Sequence, residues 1–485
     1  MAKRTSTVSA GGRGRRARRA LYRGLADELS GLIGNGALRP GDRLPSVREM
    51  SRERRVSIAT VLAAYRLLED RRLLEPRPQS GHFVSAAPAA LPPRPAIRIA
   101  PSRRSDVRLA DLISEMQERV NDPTLAPFGV ATADPSLYPG RKLNATLSRL
   151  ARDPERLGIE YCPPGGQEPL IHQVLRRAVR QGIAADPGEV VITNGCTEAV
   201  FLALRAVTSP GDTLLVESPT YPGFLAHAEA LGLQVAEVTT CTEQGLEPDR
   251  LAAAIRRTRP AALALTATCH NPLGVSVPES SRAELVALCA RAGVAIVEDA
   301  VYADLHFDRA PRPLRAFDEG GTVLHCGSVS KTLTAGYRIG WVLAGTRAAR
   351  VRALKAATSY QTNSLGQLAV AEFMGGRQMD AHLRQLRERL RCQVGDYAMA
   401  IGRHFPGDVR VSRPSGGHLL WVELSEGSDT RQLCRRALSA GIGIMPGELF
   451  SPSGTYRHCF RFNAGYPMTG EREEAVARLG RLAAG

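Results

Sequence analysis

The sequence predicts a multidomain chain: a small helix-turn-helix unit with a β wing, mostly α, followed by a large α/β domain that closes with a smaller α+β subdomain. Three observations carry this. First, 485 residues with 43% hydrophobic content exceed what one hydrophobic core usually organises. Second, residues 1–104 hold 22 Lys and Arg against 8 Asp and Glu, an excess of 14 out of the whole chain's formal +16. Third, from about Arg108 onward short apolar runs alternate with helical segments, the mark of a mostly parallel sheet. The charge imbalance implies a polyanionic partner for the first fifth of the chain, nucleic acid before a membrane surface.

In chain order, residues 1–19 read as a disordered basic tail, residues 20–84 as the helical and winged unit, 85–107 as a linker rich in Pro, Ala and Arg, and 108–485 as the large domain. The tail lacks the apolar stretch of a signal peptide, and nowhere do 18 apolar residues run together. Nine cysteines stand singly, with no C-x-x-C pair, so a reduced, cytoplasmic protein is expected, without a metal site. Strands are expected at Val190–Thr193, Thr213–Glu217, Ala262–Thr266, Val294–Glu298 and Thr322–Cys326. A charged helix follows at Met379–His404, then strands near Val409 and at Leu419–Leu424. There is no internal repeat.

In the first unit, Ser46-Val47-Arg48-Glu49 forms a capping box that starts a helix at about Val47, and Ser57 can cap the next one. Val61, Ala64, Tyr65 and Leu68 recur at helical spacing and face a core, which leaves Ile58, Ala59, Thr60 and Arg66 for a groove. Beyond them Leu73–Arg77 and His82–Val84 flank a turn containing Gly81, where positive φ lets the backbone approach a phosphate. The string from Leu38 to Glu49, with Val56-Ser57, Thr60-Val61, Ala64-Tyr65, Leu68-Glu69 and Ser80–Val84, resembles the GntR winged helix along its whole length. That resemblance implies binding to double-stranded operator DNA, with Arg48, Ser57, Thr60 and the wing around Gly81 making the contacts. Two departures stand out: Arg54-Arg55 replaces the usual Leu-Gly of the turn, and Ile58 stands where the family often has Arg.

In the large domain, Ser328-Val329-Ser330-Lys331 and Arg338 bring an amine, two hydroxyls and a guanidinium within eleven residues. Such a set suits an aldehyde cofactor bearing a phosphate: Lys331 can form an imine, while Ser328, Ser330 and Arg338 hold the phosphate. Asp299 ends the apolar run from Val294 at the carboxyl edge of a buried strand. There it can meet a protonated pyridine nitrogen or simply cap a helix. Tyr302 and Asn271 can reach a phenolic oxygen, although Asn271-Pro272 is also an ordinary turn signal. Gly195, Cys196 and Thr197 lead from a strand into a helix whose free amides favour an anion. Tyr221 offers a ring for stacking, or core packing.

Together with Tyr161–Gly166, these segments are similar to the fold-type I aminotransferases that use pyridoxal 5'-phosphate (PLP), from about residue 110 to the end. The resemblance implies that Lys331 carries the internal aldimine and Asp299 holds the pyridine nitrogen. Asn271 and Tyr302 would serve the phenolic oxygen, Tyr221 the ring face, and Gly195, Cys196, Thr197, Ser328, Ser330 and Arg338 the phosphate, with Cys196 acting through its backbone amide. Arg461 in His458–Asn463 would grip an amino acid's α-carboxylate, with Arg457 a weaker rival. The combined architecture resembles the MocR-type transcription regulators, which implies that the aminotransferase-like body senses an amino compound or PLP and is the scaffold of a head-to-tail homodimer. The alternative is a working aminotransferase with a fused DNA-binding head; an empty relic pocket is a third and remoter reading.

Overall fold

The computed structural model describes residues 21–22, 24–26, 28–33, 37–70, 73–77, 80–85, 91–96, 98, 104–152 and 160–485. The expected basic tail, residues 1–19, lies outside them. The chain divides into two compact units, residues 1–90 and 91–485.

In the first unit, helical residues between 21 and 33 precede the helices Val47–Glu53 and Ile58–Asp70. A hairpin of β1 (Leu74–Arg77) and β2 (Gly81–Val84) follows, Arg77 facing Gly81 across the turn. The capping box forms as its sequence requires: the Glu49 amide donates to Ser46 Oγ, and the Ser46 amide donates to the Glu49 carboxylate at 2.7 Å. Val61, Ala64, Tyr65 and Leu68 are fully buried against Leu25, Leu29, Leu44 and Met50. The Tyr65 hydroxyl is satisfied by donating to the Pro45 carbonyl at 2.7 Å. Arg54 and Arg55, the departures in the turn, are accommodated locally. Arg54 pairs with Glu28 at 2.8 Å, and Arg55 takes φ +50°, a left-handed conformation that glycine adopts without the steric cost of a side chain.

The second unit is built on a seven-stranded sheet of β3 (Val190–Thr193), β4 (Thr213–Ser218), β5 (Gln234–Thr239), β6 (Ala262–Leu265), β7 (Ala295–Asp299), β8 (Val323–Ser328) and β9 (Gly340–Leu343), in the order β3-β9-β8-β7-β6-β4-β5. All pairs are parallel except the two made by β9, which runs antiparallel to β3 and β8. Successive residues of a strand enter different core clusters: Leu214 and Val216 lie in one and Leu215 in another, so both faces of the sheet are covered. The five expected strands are present. β5 and β9 escaped the sequence reading because β5 interleaves polar residues with apolar ones and β9 is only four residues long.

The C-terminal part contains the 27-residue helix Gln378–His404 and an antiparallel sheet of β10 (Arg410–Val411), β11 (Leu419–Glu423), β12 (Met445–Pro446) and β13 (Cys459–Asn463), ordered β10-β11-β13-β12. The expected linker needs correction here, because its described residues from 91 onward lie against this unit. The Val411 amide donates to the Pro93 carbonyl, the Ala96 amide donates to Glu423, and Arg98 pairs with Glu423 at 2.8 Å and Glu426 at 2.9 Å. Burial would raise the Glu423 carboxyl; hydrogen bonds from His458 and Arg98 instead hold it down at about 2. A Pro-rich composition does not reveal such anchoring by single residues. Among the described residues no helix is long and apolar enough to cross a membrane.

Removing the Ser46 hydroxyl should unfold the first unit more easily by about 1 kcal/mol, since the N3 amide loses its partner. Arg55→Gly should relieve the left-handed residue and stabilise by up to about 1 kcal/mol. Amide hydrogen exchange of the peptides covering Ile58–Asp70 in the full chain reads both changes. The same sign for the two variants would contradict the account.

Candidate functional site

The carboxyl ends of the parallel strands, with β9 between β3 and β8, converge on one cavity. Its walls include Lys331, Asp299, Tyr302, Asn271, Tyr221, Cys196, Thr197, Ser330 and Arg338, so nine of the residues singled out in the sequence meet there. The convergence follows from register. Gly340 pairs with Thr193 on one side and Ser328 on the other, which places the residues just beyond these three, Gly195, Ser330 and Arg338, side by side.

That corner suits an oxyanion. The helix Gly195–Val207 begins there, presenting unbonded amides and the positive end of its dipole. The guanidinium of Arg338 lies directly over Gly195, which has φ +83°; a Cβ at Gly195 would fall 2.3 Å from Arg338 Nη2. Arg338 also approaches Ser330 Oγ at 3.5 Å and donates to the Asn194 carbonyl at 3.3 Å. Ser328 Oγ lies 2.8 Å from Ser330 Oγ and donates to the Ile339 carbonyl, so it orients Ser330 from behind. Glu198 reinforces the turn by accepting from the Asn194 amide at 2.6 Å and from the buried Lys355 at 3.0 Å.

At the other end, Asp299 closes β7. Its Oδ1 accepts from the Val301 amide at 3.0 Å and from the Cys196 thiol at 3.2 Å, which leaves Oδ2 for a further cation. Burial pushes the Asp299 carboxyl up, while Val301, Cys196 and Lys331 draw it back. Burial and the neighbouring Asp299 raise the Cys196 thiol well above its usual range, so it remains a protonated donor. The sequence reading credited Cys196 with a backbone role alone; its side chain has this second one.

Lys331 donates to the Ala131 carbonyl and lies 5.7 Å from the centre of the Tyr302 ring. Burial, followed by the positive charge of Arg461, lowers its pKa to about 8, so about a tenth is free amine at pH 7, far more than for an ordinary lysine. Tyr221 is raised to about 12 by burial. Gly223 makes room for its ring, since a Cβ there would approach Tyr221 Cε1 to 2.3 Å.

Arg461, on β13, is 4% exposed. It donates to the Gly129 carbonyl at 2.8 Å and to Asn271 Oδ1 at 3.4 Å, while its buried Nε has no partner among the described residues. A buried guanidinium with an unused donor is fitted for a carboxylate. Arg457, the rival, is 65% exposed at its side chain and paired with Asp429, which removes it from the cavity. Sequence reasoning missed the segment around Gly129 and Ala131, whose carbonyls cap Arg461 and Lys331, because it acts through backbone atoms. It also missed His227, which lines the cavity, whose buried Nε2 has no hydrogen-bond partner among the described residues, and which is lowered to about 4 by burial.

In the first unit, Arg48 and Ser57 are exposed and Gly81 has φ +103°, in keeping with a surface role. Thr60 does not fit the expectation of a DNA contact. It is 3% exposed and its Oγ1 lies 2.8 Å from Ser57 Oγ, because the third position of a helix turns back to its cap; Thr60 fixes Ser57 and leaves the groove to others.

Residues 21–84 match the family model for bacterial regulatory proteins of the gntR family, and residues 153–479 match that for class I and II aminotransferases. The HTH-type transcriptional regulator YdcR of Escherichia coli is 37% identical over 463 residues, covering 95% of this chain and 98% of that protein. The HTH-type transcriptional regulator TauR of Rhodobacter capsulatus is 31% identical, covering 92% and 93%. Among solved structures, the α-aminoadipate aminotransferase LysN of Thermus thermophilus, complexed with N-(5'-phosphopyridoxyl)-L-leucine, superposes with a TM-score of 0.69 at 27% identity, covering 78% of this chain and 98% of that one. With a gntR-type winged helix-turn-helix joined to a class I and II aminotransferase domain, and whole-length relatives that share both, the chain belongs to the MocR-type transcription regulators.

Proposed function

We propose that the protein binds PLP in the cavity of its second unit, senses an amino compound there, and controls transcription through its winged helix as a homodimer in the cytoplasm. The observation that carries this reading is the meeting of an amine, a carboxylate and an oxyanion corner in one cavity, one of whose lining residues, Asn271, accepts from the buried Arg461. The residues present fit the cofactor: the Gly195–Arg338 corner for its phosphate, Asp299 Oδ2 for its pyridine nitrogen, the Tyr221 ring for its face, and Tyr302 with Asn271 for its phenolic oxygen. When bound, PLP supplies an electrophilic aldehyde and an electron-withdrawing ring. Lys331, lowered to about 8, offers the neutral amine that an aldehyde requires. Asp299 would accept from the proton-bearing pyridine nitrogen at Oδ2, since its Oδ1 is taken by Val301 and Cys196. The free Nε of Arg461 selects a ligand with a carboxylate.

Homodimerisation is supported by the exposed aromatic pair Tyr161 and Tyr360, 78% and 48% exposed with ring centres 5.0 Å apart. The proposed arrangement is head-to-tail. On the DNA side, Arg48 and Ser57 are assigned to the operator, with the wing around Gly81 against a phosphate. The regulator reading is preferred to a working aminotransferase because both whole-length relatives described above are named as transcriptional regulators.

Lys331→Ala should abolish covalent attachment of PLP, read as the mass added to the Lys331 peptide after borohydride reduction; an equal addition at another lysine would overturn the assignment. In the apoprotein, the rate of PLP attachment should rise about tenfold per pH unit below pH 8 and level off above it, because the amine deprotonates there. A rise that continues to pH 10 would show an ordinary lysine. Asp299→Ala should weaken PLP retention and leave operator affinity of the cofactor-free protein unchanged. For the operator, Arg48→Ala should lower the salt slope of log Kd by about 1 if the side chain meets phosphate, and relax preference for guanine at one position if it meets a base edge. An operator titration unchanged in both respects would remove Arg48 from the interface.

A further inference from the structure

The side chains of the helix Ile58–Asp70 divide between a buried side and an exposed side. Thr60, Val61, Ala64, Tyr65 and Leu68 are buried. Ile58 is 50% exposed and Leu62 38% exposed, with Ala59 and Arg66 exposed beside them. Positions 58, 62 and 66 recur every four residues and share one face, with 59 adjoining. The face therefore begins with Ile, Ala and Leu and meets its first polar side chain, Arg66, two turns in. In a helix-turn-helix the first turns of the second helix are the ones that meet base edges in the major groove.

We infer that this head reads its operator by packing Ile58, Ala59 and Leu62 against the 5-methyl groups of thymines. The inference rests on the DNA-binding reading above and names the bases that such binding would select. An apolar side chain laid against guanine O6 and N7, or against cytosine N4, strips water from those groups and replaces none of their hydrogen bonds. Thymine alone presents a methyl group in the major groove, so it is the base that gains from such a neighbour. The occupant is DNA and not a protein surface because the exposed cations around these residues in sequence, Arg48, Arg52, Arg55 and Arg66, are what phosphates require, and because most of the chain's excess positive charge belongs to this unit and the segments flanking it. The inward turn of Thr60 adds to the case: the hydroxyl that would have offered polar readout in the first turn is engaged with Ser57, and the exposed surface of that turn past Ser57 is Ile58 and Ala59.

The test is in vitro selection of random duplexes by the full-length protein, followed by replacement of thymine with deoxyuridine, which pairs identically but lacks the methyl group. The expected result is a half-site with thymines opposite the start of this helix and a loss of about fourfold in affinity for each methyl group removed. Ile58→Ala should weaken binding to the thymine duplex and bring the ratio of the two affinities to one at the position it faces. Ile58→Arg should move the preference there toward guanine. Circular dichroism of both variants confirms that the exposed substitutions leave the helix intact. Equal affinity for thymine and deoxyuridine duplexes, or a selected consensus with guanine at these positions, overturns the inference while leaving DNA binding in place. An Ile58→Ala variant that changes self-association but not operator affinity assigns the patch to a protein contact and also overturns it. If no duplex is retained even at low salt, the DNA-binding reading falls and takes this inference with it.

Discussion

The pairing of Gly340 with two strands at once is the constraint on which the ligand site depends. Thr193 and Ser328 flank it on β3 and β8, and a Cβ at Gly340 would lie 2.5 Å from the Gly195 carbonyl carbon. Only a residue without a side chain lets β9 slide between the two strands closely enough for Arg338 to lie over Gly195. The oxyanion corner is thus a product of strand register. A displacement of β9 by one residue would turn its side chains to the opposite face and carry Arg338 away from the start of the helix Gly195–Val207. The left-handed backbone at Arg338, φ +53°, is the local cost of that approach.

Burial makes the charges of the cavity interdependent. Lys331, Arg338 and Arg461 are cations within or beside one enclosed volume, and Asp299 is the anion among them. Arg461 lowers Lys331 by like-charge repulsion, second only to burial, while Asp299 raises it. A carboxylate arriving at Arg461 would cancel much of that repulsion and favour the proton on Lys331. By linkage, proton uptake at Lys331 would strengthen carboxylate binding to the same degree. On the proposed reading, occupancy by an acidic ligand would thus be coupled to the protonation of Lys331 without any residue changing place.

Much of this was legible in the sequence because the chemistry is concentrated in short strings. Ser328–Lys331 with Arg338, the apolar run ending in Asp299, and the strand-Gly-helix passage at Gly195 each sit at a strand end, where α/β folds gather ligands. The capping box at Ser46 and the stripe from Val61 to Leu68 were equally plain, since both are local. Illegible features came from contacts distant in sequence or from backbone atoms. The carbonyls of Gly129 and Ala131 have no side-chain signature, and the thiol of Cys196 reaches Asp299 across 103 positions. Thr60 misled because exposure was inferred from helical phase, while hydrogen bonding to Ser57 decides how the first turn rotates. Arg457 and Arg461 differ by four residues, and only the strand β13 shows which of them turns inward.

The distribution of charge separates the work of the two units. Residues 1–90 hold 18 Lys and Arg against 8 Asp and Glu, ten of the sixteen excess positive charges, so most of the field that attracts a polyanion does not depend on what the cavity holds. At physiological ionic strength, fields between exposed charges decay over about 8 Å, which makes the cavity a poor electrostatic transmitter. On the proposed reading, a signal from a bound ligand would have to pass through covalent and packed connections. The described residues 93–96, 98, 104 and 105 lie along such a connection. Its first part is fixed to the antiparallel sheet through Pro93, Ala96 and Arg98, and its last residue forms a bridge with Val235 on β5 of the large sheet. The same β11 that carries Glu423, the partner of Arg98, pairs with β13, where Trp421 faces Arg461. The strand β11, whose Glu423 holds Ala96 and Arg98, is therefore hydrogen-bonded to β13, the strand that carries Arg461, and on the proposed reading a carboxylate bound at Arg461 would be felt at residues 96 and 98 through that pairing.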